Sequence, residues 1–208
     1  MDFFDVVTTQ RAMRRLKPDP IPDAVLRQIM DAAICAPSGG NRQGWRFVVV
    51  RDPARRARLG ELYREGWGEL VKLPYYAGAA TEPAGSPARK MVDSAAHLAE
   101  HMGEAPVIIV PCIELDPGIK PTVITGSSIY PAVQNIMLAA RALGIGSCLT
   151  TIHRYREPQV KQLLGIPAEV ETVALIPLGY PLGKFGRPPR RPVAEVAFAD
   201  GWGRAFGA

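Results

Sequence analysis

The chain has 208 residues, 47% of them hydrophobic, and a mean hydropathy of +0.01, which together exclude a disordered chain and predict one globular domain over residues 1–208. The net charge is +5, and the arginines of the segment RDPARRARLGELYRE (51–65) lie opposite Leu59 and Leu62 on a predicted helix. No aromatic residues suited to base stacking alternate with these arginines. We therefore expect a solvated helix face and no nucleic-acid partner. No apolar run approaches the roughly 18 residues that span a bilayer, and the acidic start MDFFDVVTTQ is unlike a signal peptide, so we expect a cytoplasmic protein without membrane contact.

Helical and strand patterns alternate along the chain. Apolar spacing predicts helices over residues 2–9, 22–37, 53–70, 91–102 and 125–143, the second stopped by Pro37 and the last by Gly144. Apolar runs predict strands over 46–50, 105–114, 145–152 and 171–181. Strands separated by helices predict an α+β fold in which helices cover a sheet.

The segment 72–90 is rich in glycine and proline. Its five such residues predict a mobile lid that has no regular helix through its middle. Tyr75 and Tyr76 are its aromatic side chains, and they could stack on the ring of a substrate.

Cysteine and histidine spacing predicts no metal site. Cys35, Cys112 and Cys148 form no CxxC pair, which favours reduced thiols over a disulfide or zinc framework. His97 and His101 stand at i and i+4, but a zinc protease has Glu directly after its first histidine, where this chain has Leu98.

The stretch APSGGNRQGWRF (36–47) joins a predicted helix to a predicted strand. Its glycines admit a close backbone approach to a ligand, and its Asn and Gln side chains can meet the edge of a polar heterocycle. A helix stop followed by a strand start explains the same residues without a ligand. Two basic clusters near the chain ends would suit a dianionic phosphate, and they are Arg11, Arg14, Arg15 and Lys17 with Lys184, Arg187, Arg190 and Arg191.

Ordered motifs carry a resemblance to a known family. The segment QRAMRRLKPDPIPDAVLRQIMDAAICAPSGGNRQGWRFVVV (10–50) resembles the start of the FMN-dependent nitroreductase superfamily, with its arginine motif, its P-[IV]-P helix start and its APS-x-x-N-x-Q-P-W-x-F stretch. LGIGSCLTT (143–151), GYP (179–181) and RRPVAEV (190–196) resemble the later flavin segments of that superfamily. The resemblance covers the chain apart from about 63–91.

The resemblance implies a homodimer of three-layer sandwiches, each with a central, mostly antiparallel sheet wrapped by helices, and one FMN at each end of the interface. Three residues near the N-terminus would hold its phosphate and ribityl chain, namely Arg11, Ala12 and Arg14, with Arg190 and Arg191 closing on the phosphate. The partner subunit would contribute Pro37, Ser38, Gly39, Asn41 and Gln43. Beside the isoalloxazine ring would lie Leu149, Thr150 and Thr151, with a donor near O4 and N5. The chain departs from the motif at Gln10, Ala12 and Gly44, which would remove one or two phosphate bonds.

A dimer is also expected from the predicted helix 125–143, because its apolar face looks larger than one small subunit needs.

Members of the superfamily use FMN to take hydride at N5 from NAD(P)H and pass electrons to an acceptor in a ping-pong cycle, so no acid–base pair is required of the chain. The resemblance therefore implies FMN as cofactor, NAD(P)H as co-substrate and a small organic acceptor such as a nitroaromatic or a quinone. A reductive dehalogenase or ring dehydrogenase of the same fold is an alternative. Deiodinase lids offer Glu, Tyr and Lys to an amino-acid zwitterion. This chain supplies these types without the expected spacing, at Glu61, Tyr63, Tyr75, Tyr76 and Lys90. A non-catalytic binder of an anionic ligand is the alternative from another class.

Overall fold

The computed structural model describes residues 1–116, 118–119 and 121–206. Its α-helices are, in chain order, α1 (Phe3–Thr9), α2 (Asp23–Ala33), α3 (Pro53–Leu70), α4 (Pro74–Thr81), α5 (Pro87–His101), α6 (Val123–Gly126), α7 (Tyr130–Ala142) and α8 (Glu157–Leu164). Its strands are β1 (Trp45–Val50), β2 (Val107–Ile113), β3 (Gly146–Ser147), β4 (Glu171–Thr172) and β5 (Ile176–Gly179). The strands pair antiparallel in the order β1-β2-β5-β3, and β4 pairs with β2.

Strand β2 is buried along its whole length because helices cover both faces of the sheet. Ile108 and Val110 belong to one core cluster, which also contains side chains of α3 and α5. Val107 and Ile109 belong to a second cluster with side chains of α2 and α7. The alternation follows the period of a strand, whose successive side chains point to opposite faces. The predicted three-layer α+β arrangement around a mostly antiparallel sheet is confirmed.

Helix α2 ends one turn earlier than predicted. Its last residue is Ala33, whereas the sequence placed the stop at Pro37. A proline ring inside a helix clashes with the carbonyl four residues before it, which here belongs to Ala33. The helix therefore has to end before Pro37 is reached, and residues 34–36 form turns.

The predicted helix 125–143 is two helices, α6 and α7. Pro131 lies in the first turn of α7, where its missing N–H costs nothing, but its ring disfavours a further helical turn before it. The predicted stop at Gly144 is confirmed by its left-handed backbone, with φ of +77°. Val133 and Ile136 pack into the core cluster shared with α2 and the sheet. The argument that this face is too large for one subunit is therefore wrong, because the same chain covers it.

The last two predicted strands are shorter than expected. Only Gly146–Ser147 of 145–152 forms a strand, and 171–181 is divided into β4 and β5. Between them, Thr150 and Leu175 exchange both backbone hydrogen bonds, at 3.0 and 2.8 Å. The chain thus leaves the sheet at residue 148 but stays tied to it two residues later.

The segment 72–90 contains a regular helix, α4, so the prediction that it lacks one is wrong. Pro74 and Pro87 each lie in the first turn of a helix, where proline is favoured, so they begin α4 and α5 and interrupt neither. Tyr76 packs edge to face on Trp67 of α3, with ring centroids 6.0 Å apart. Ala79 of α4 is buried in the core cluster that also contains Trp67.

Helix α3 lies directly on the 3-10 turn Ile152–Arg156, which follows Thr151. A Cβ added to Gly66 would lie 2.7 Å from the carbonyl oxygen of Ile152, so this close approach requires glycine. The backbone of α3 thereby fixes where the turn lies.

A buried polar network holds the same turn from its other side. His153 is fully buried, and its Nε2 lies 3.1 Å from Oγ1 of Thr172. The Thr172 hydroxyl donates to Oε1 of Glu157 at 2.6 Å, so Nε2 of His153 carries the proton that Thr172 accepts. Burial lowers the pKa of His153 to about 4, with the Glu157 carboxylate raising it in part. His153 is therefore neutral at pH 7.

Replacing Gly66 by alanine should destabilise the fold. The added methyl group meets the backbone of Ile152, and overpacking of this kind costs about 1–3 kcal/mol of unfolding free energy. Urea unfolding measures the loss. Gly68→Ala is the matched control on the same helix, because nothing lies within 4 Å of its Cβ position and alanine is the better helix former. Equal stability of the two variants would contradict the close contact.

Lowering the pH should reduce the free energy of unfolding, because the unfolded chain protonates His153 more readily than the folded chain does. Because the folded pKa of His153, about 4, lies below the unfolded value of 6.5, the unfolded chain takes up the proton first as the pH falls. Stability attributable to this group is constant above about pH 6.5 and declines by about 3 kcal/mol between pH 6.5 and 4. Urea unfolding across that range should show a smaller pH slope for His153→Gln, whose amide can still donate to Thr172. Identical slopes in the two proteins would refute the assignment.

Candidate functional site

A cavity of about 430 Å³ lies between helices α3, α4 and α5 and the segment 148–155, and we name it the Thr150 cavity. Its lining consists of Arg14, Tyr63, Trp67, Leu70, Tyr76, Met91, Ala95, Cys148, Leu149, Thr150, Thr151, Ile152, Arg154 and Tyr155. The structure thus brings together five of the residues that were assigned to FMN or to a substrate ring, namely Arg14, Tyr76, Leu149, Thr150 and Thr151, together with Tyr63 of the deiodinase-type set.

Arg14 reaches the cavity because residues 12–14 run beside the end of β3. Ala12 pairs with Ser147 in a parallel bridge, and the amide of Met13 donates to the Ser147 carbonyl at 2.8 Å. Arg14 is half-buried, and within the described residues it forms no ion pair with a carboxylate. Arg11 is exposed and lies outside the lining. A half-buried, unneutralised guanidinium is suited to an anionic ligand.

Cys148 lies next to Arg14 in the lining. Burial raises the pKa of the Cys148 thiol above its ordinary value, although the charge of Arg14 and a hydrogen bond with it act in the opposite direction. The thiol therefore stays protonated and does not have the thiolate character of a nucleophilic cysteine.

Hydrogen-bond donors line the cavity at residues 149–151. The Thr150 amide is already used, since it donates to the Leu175 carbonyl. The amides of Leu149 and Thr151 donate to no group among the residues that the structure describes. The Thr150 hydroxyl lies 2.9 Å from the hydroxyl of Tyr63. These groups could meet the polar edge of a flat ligand.

Aromatic side chains form the opposite wall. Trp67 and Tyr76 contact each other edge to face, and Leu70 and Met91 complete this apolar side. Tyr75, which the sequence paired with Tyr76, is 70% exposed and lies outside the lining. Only Tyr76 of the two tyrosines is therefore placed to contact a ligand in the cavity.

The motif 36–47 lies at a second cavity, of about 530 Å³, which shares no lining residue with the first. Ser38 and Gly39 line it, whereas Pro37, Asn41 and Gln43 are exposed beside it. The predicted residues 37–43 are thus separated, within one chain, from those around Thr150.

The backbone of this motif is strained. Asn41 and Gln43 both adopt φ of +52°, which is uncommon for residues other than glycine. The Ser38 hydroxyl accepts from the Gln43 amide at 2.9 Å, and the Ser128 hydroxyl accepts from the Gly39 amide at 3.0 Å. Strain that a surrounding network holds in place is typical of ligand sites. The charges here are neutralised, since Arg42 pairs with Asp116 and Arg46 with Glu114.

The C-terminal tail does not bring its arginines to Arg14 within one chain. The amide of Leu182 donates to the Arg15 carbonyl, and the guanidinium of Arg141 lies 4.1 Å from the ring centre of Phe185. Beyond these contacts, Arg190 and Arg191 are exposed and line neither cavity.

Several cavity residues were not recognised from the sequence, and they include Trp67, Met91, Arg154 and Tyr155. Trp67 follows Leu59 and Tyr63 along the buried face of α3, so helical spacing could have indicated it. Nothing in the sequence indicates that α5 and the turn after Thr151 meet this face.

Two observations bear on ligands of other kinds. In the parts of the chain that the structure describes, no three His, Cys, Asp or Glu side chains are grouped so as to hold a metal ion. His97 and His101 stack at 4.2 Å, and Nδ1 of His97 lies 3.1 Å from the Arg15 guanidinium. Over the same residues, the helices are too short or too polar to cross a bilayer.

Comparisons with known proteins agree on one family. The model of the Nitroreductase family matches residues 7–180. A Thermus thermophilus protein named NADH dehydrogenase is 31% identical over 202 residues, covering 90% of each chain. An iodotyrosine deiodinase of Thermotoga neapolitana is 26% identical over 192 residues, covering 91% of this chain and 94% of the relative. A Desulfovibrio desulfuricans protein solved in complex with FMN superposes with a TM-score of 0.69 at 25% identity, covering 97% of this chain and 98% of that one. The chain therefore belongs to the nitroreductase family.

Proposed function

We propose that the protein is an FMN-dependent oxidoreductase that passes electrons from NAD(P)H to a small organic acceptor in a ping-pong cycle. The observation that carries this proposal is the Thr150 cavity, where an unneutralised Arg14, unused amide donors and an aromatic wall lie together. Relatives named NADH dehydrogenase and nitroreductase and a neighbour solved with FMN support it. A location in the cytoplasm and a single domain remain predictions.

The residues present fit the chemistry of FMN. Arg14, with Arg11 close to it in sequence, would bind the phosphate as a charge-assisted pair. The donors at Leu149, Thr150 and Thr151 would meet the polar edge of the ring system, and steady added negative charge there. When bound, FMN supplies two-electron transfer between a nicotinamide and the acceptor. The chain itself binds the cofactor, orients its ring and shields it from water.

We also propose that the working form is a homodimer. The residues 37–43 and the tail arginines lie away from the Thr150 cavity of their own chain, as expected if they act on the partner's site. Among the described residues, the large apolar side chains that are exposed include Phe4 (71%), Val123 (94%) and Trp202 (94%). Exposed apolar surface of this kind is typical of an interface.

The charged groups of the cavity disfavour a cationic acceptor. Its described lining contains no Asp or Glu, so an ammonium group would find no carboxylate there, and Arg154 is already paired with Glu157 and Glu171. Glu61 and Lys90, which could have served an amino-acid zwitterion, lie outside the lining. A nitroaromatic or quinone is therefore favoured over an iodotyrosine-like substrate.

Removal of Arg14 should weaken FMN binding. The purified protein should be yellow, and NAD(P)H should bleach it, whereas a simple binder of anions would be colourless. Arg14→Ala removes a charge-assisted contact worth about 1.5–3 kcal/mol, so its dissociation constant for FMN should rise roughly ten- to a hundredfold. Fluorescence titration of the apoprotein with FMN measures this constant.

Two further variants complete this titration. Arg55→Ala is the control, since Arg55 is exposed on α3 and lines neither cavity, and it should bind FMN as the wild type does. Arg190→Ala tests the tail, because a loss of affinity like that of Arg14→Ala is expected if the tail closes on the phosphate. Normal binding by Arg14→Ala would remove the phosphate assignment.

Tyr76 should govern the choice of acceptor. Tyr76→Ala removes part of the aromatic wall, so kcat/KM should fall unequally among a panel of nitroaromatics and quinones, while FMN affinity and reduction by NAD(P)H stay near normal. Tyr75→Ala is the matched control, because Tyr75 lies outside the lining. Equal losses for every acceptor, or loss of FMN, would show that Tyr76 belongs to the scaffold.

A further inference from the structure

Helix α3 contributes a buried hydroxyl to the Thr150 cavity, that of Tyr63. Its side chain is 1% exposed, and its oxygen lies 2.9 Å from Oγ1 of Thr150. Neither hydroxyl has another hydrogen-bond partner among the described residues. A buried phenol usually finds a partner, and here the partner is itself a lining residue of the cavity.

The backbone amide of Thr150 already donates a hydrogen bond, so it cannot donate one to a ligand. The amide and carbonyl of Thr150 are both committed to Leu175. The position of Thr150 is therefore fixed by the sheet, whereas the direction of its hydroxyl is fixed by Tyr63. Burial raises the pKa of Tyr63 above its ordinary value, which the hydrogen bond with Thr150 only partly offsets, so the phenol keeps its proton.

The hydroxyl groups of Tyr63 and Thr150 together can donate one hydrogen bond to a ligand. Two hydroxyl groups carry two protons, and one of these is used in the hydrogen bond between them. The other proton has no acceptor among the described residues, so it is available to a group in the cavity. The same holds whichever of the two oxygens is the donor within the pair.

We propose that Tyr63 is a positioning residue, which orients the Thr150 hydroxyl so that the pair donates one hydrogen bond to the flavin. The inference rests on the proposed binding of FMN in this cavity. A hydrogen bond donated to a carbonyl oxygen at the polar edge of the ring favours the form of the ligand that carries more negative charge, which for a flavin is the reduced form. Tyr63 therefore raises the reduction potential of the bound cofactor.

The test is the two-electron midpoint potential of the FMN-loaded protein, measured by equilibration with a reference dye. Tyr63→Phe keeps the ring and removes the hydroxyl, and its reduction equilibrium should become about tenfold less favourable, which lowers the potential by about 30 mV. Tyr75→Phe is the control, since it also removes one phenol oxygen but from an exposed side chain outside the cavity lining, and its potential should equal that of the wild type. An unchanged potential in Tyr63→Phe overturns the inference.

Variants of Thr150 approach the same hydrogen bond from its other end. Thr150→Val should lower the potential, Thr150→Ser should not, and adding Tyr63→Phe to Thr150→Val should cause little further change. Equal potentials in the valine and serine variants, or additive effects of the two substitutions, would count against the pair acting as a unit. Should Tyr63→Phe fail to fold, equal potentials in Thr150→Val and Thr150→Ser still overturn the inference, because Tyr63 would then have no donating hydroxyl to orient.

FMN binding by the wild type distinguishes a failure of this inference from a failure of the proposed function. A wild-type protein that binds no FMN overturns both. A yellow wild type together with an unaffected Tyr63→Phe potential overturns only the role of Tyr63.

Discussion

The burial of β2 on both faces is the constraint on which the rest of the structure depends. A strand without an exposed face needs a helical layer on each side, and the two core clusters provide these layers. The layer of α3 and α5 extends beyond the sheet to the point where the chain leaves β3. The Thr150 cavity occupies this place, so its lining combines the end of a strand with the side of a helix. The pair of hydrogen bonds between Thr150 and Leu175 keeps that strand end in line with the sheet.

Much of the fold could be predicted because its signals are local. The apolar face of α3 and the continuous apolar run of β2 follow from spacing and composition alone, and α3 has the predicted bounds. The errors in the helices came from proline. Pro74 and Pro87 begin helices where they were expected to exclude them, and Pro131 divides a helix that was expected to be continuous. The effect of a proline depends on its position within a turn, which apolar spacing does not specify.

The candidate site was predictable where a motif identifies a backbone segment, and less so where side chains from distant elements meet it. Arg14 and Thr150 come from such motifs, and the structure brings them to one cavity. Tyr75 and Tyr76 look equivalent in sequence, yet only Tyr76 faces inward, because the register of α4 against α3 decides which one packs on Trp67. The contact between Tyr63 and Thr150 joins residues 87 positions apart, and no local pattern encodes it.

The protonated state of Cys148 has a chemical consequence for a protein of this family. Electrophiles and peroxides attack a thiolate far more readily than a thiol, so a cysteine with a raised pKa resists alkylation and oxidation. Arg14 alone would favour the thiolate, and it is the exclusion of water around the sulfur that prevents this. A loosened core at this point would hydrate the sulfur and bring it within reach of reactive small molecules. Tight packing around Cys148 thus protects the thiol from alkylation and oxidation.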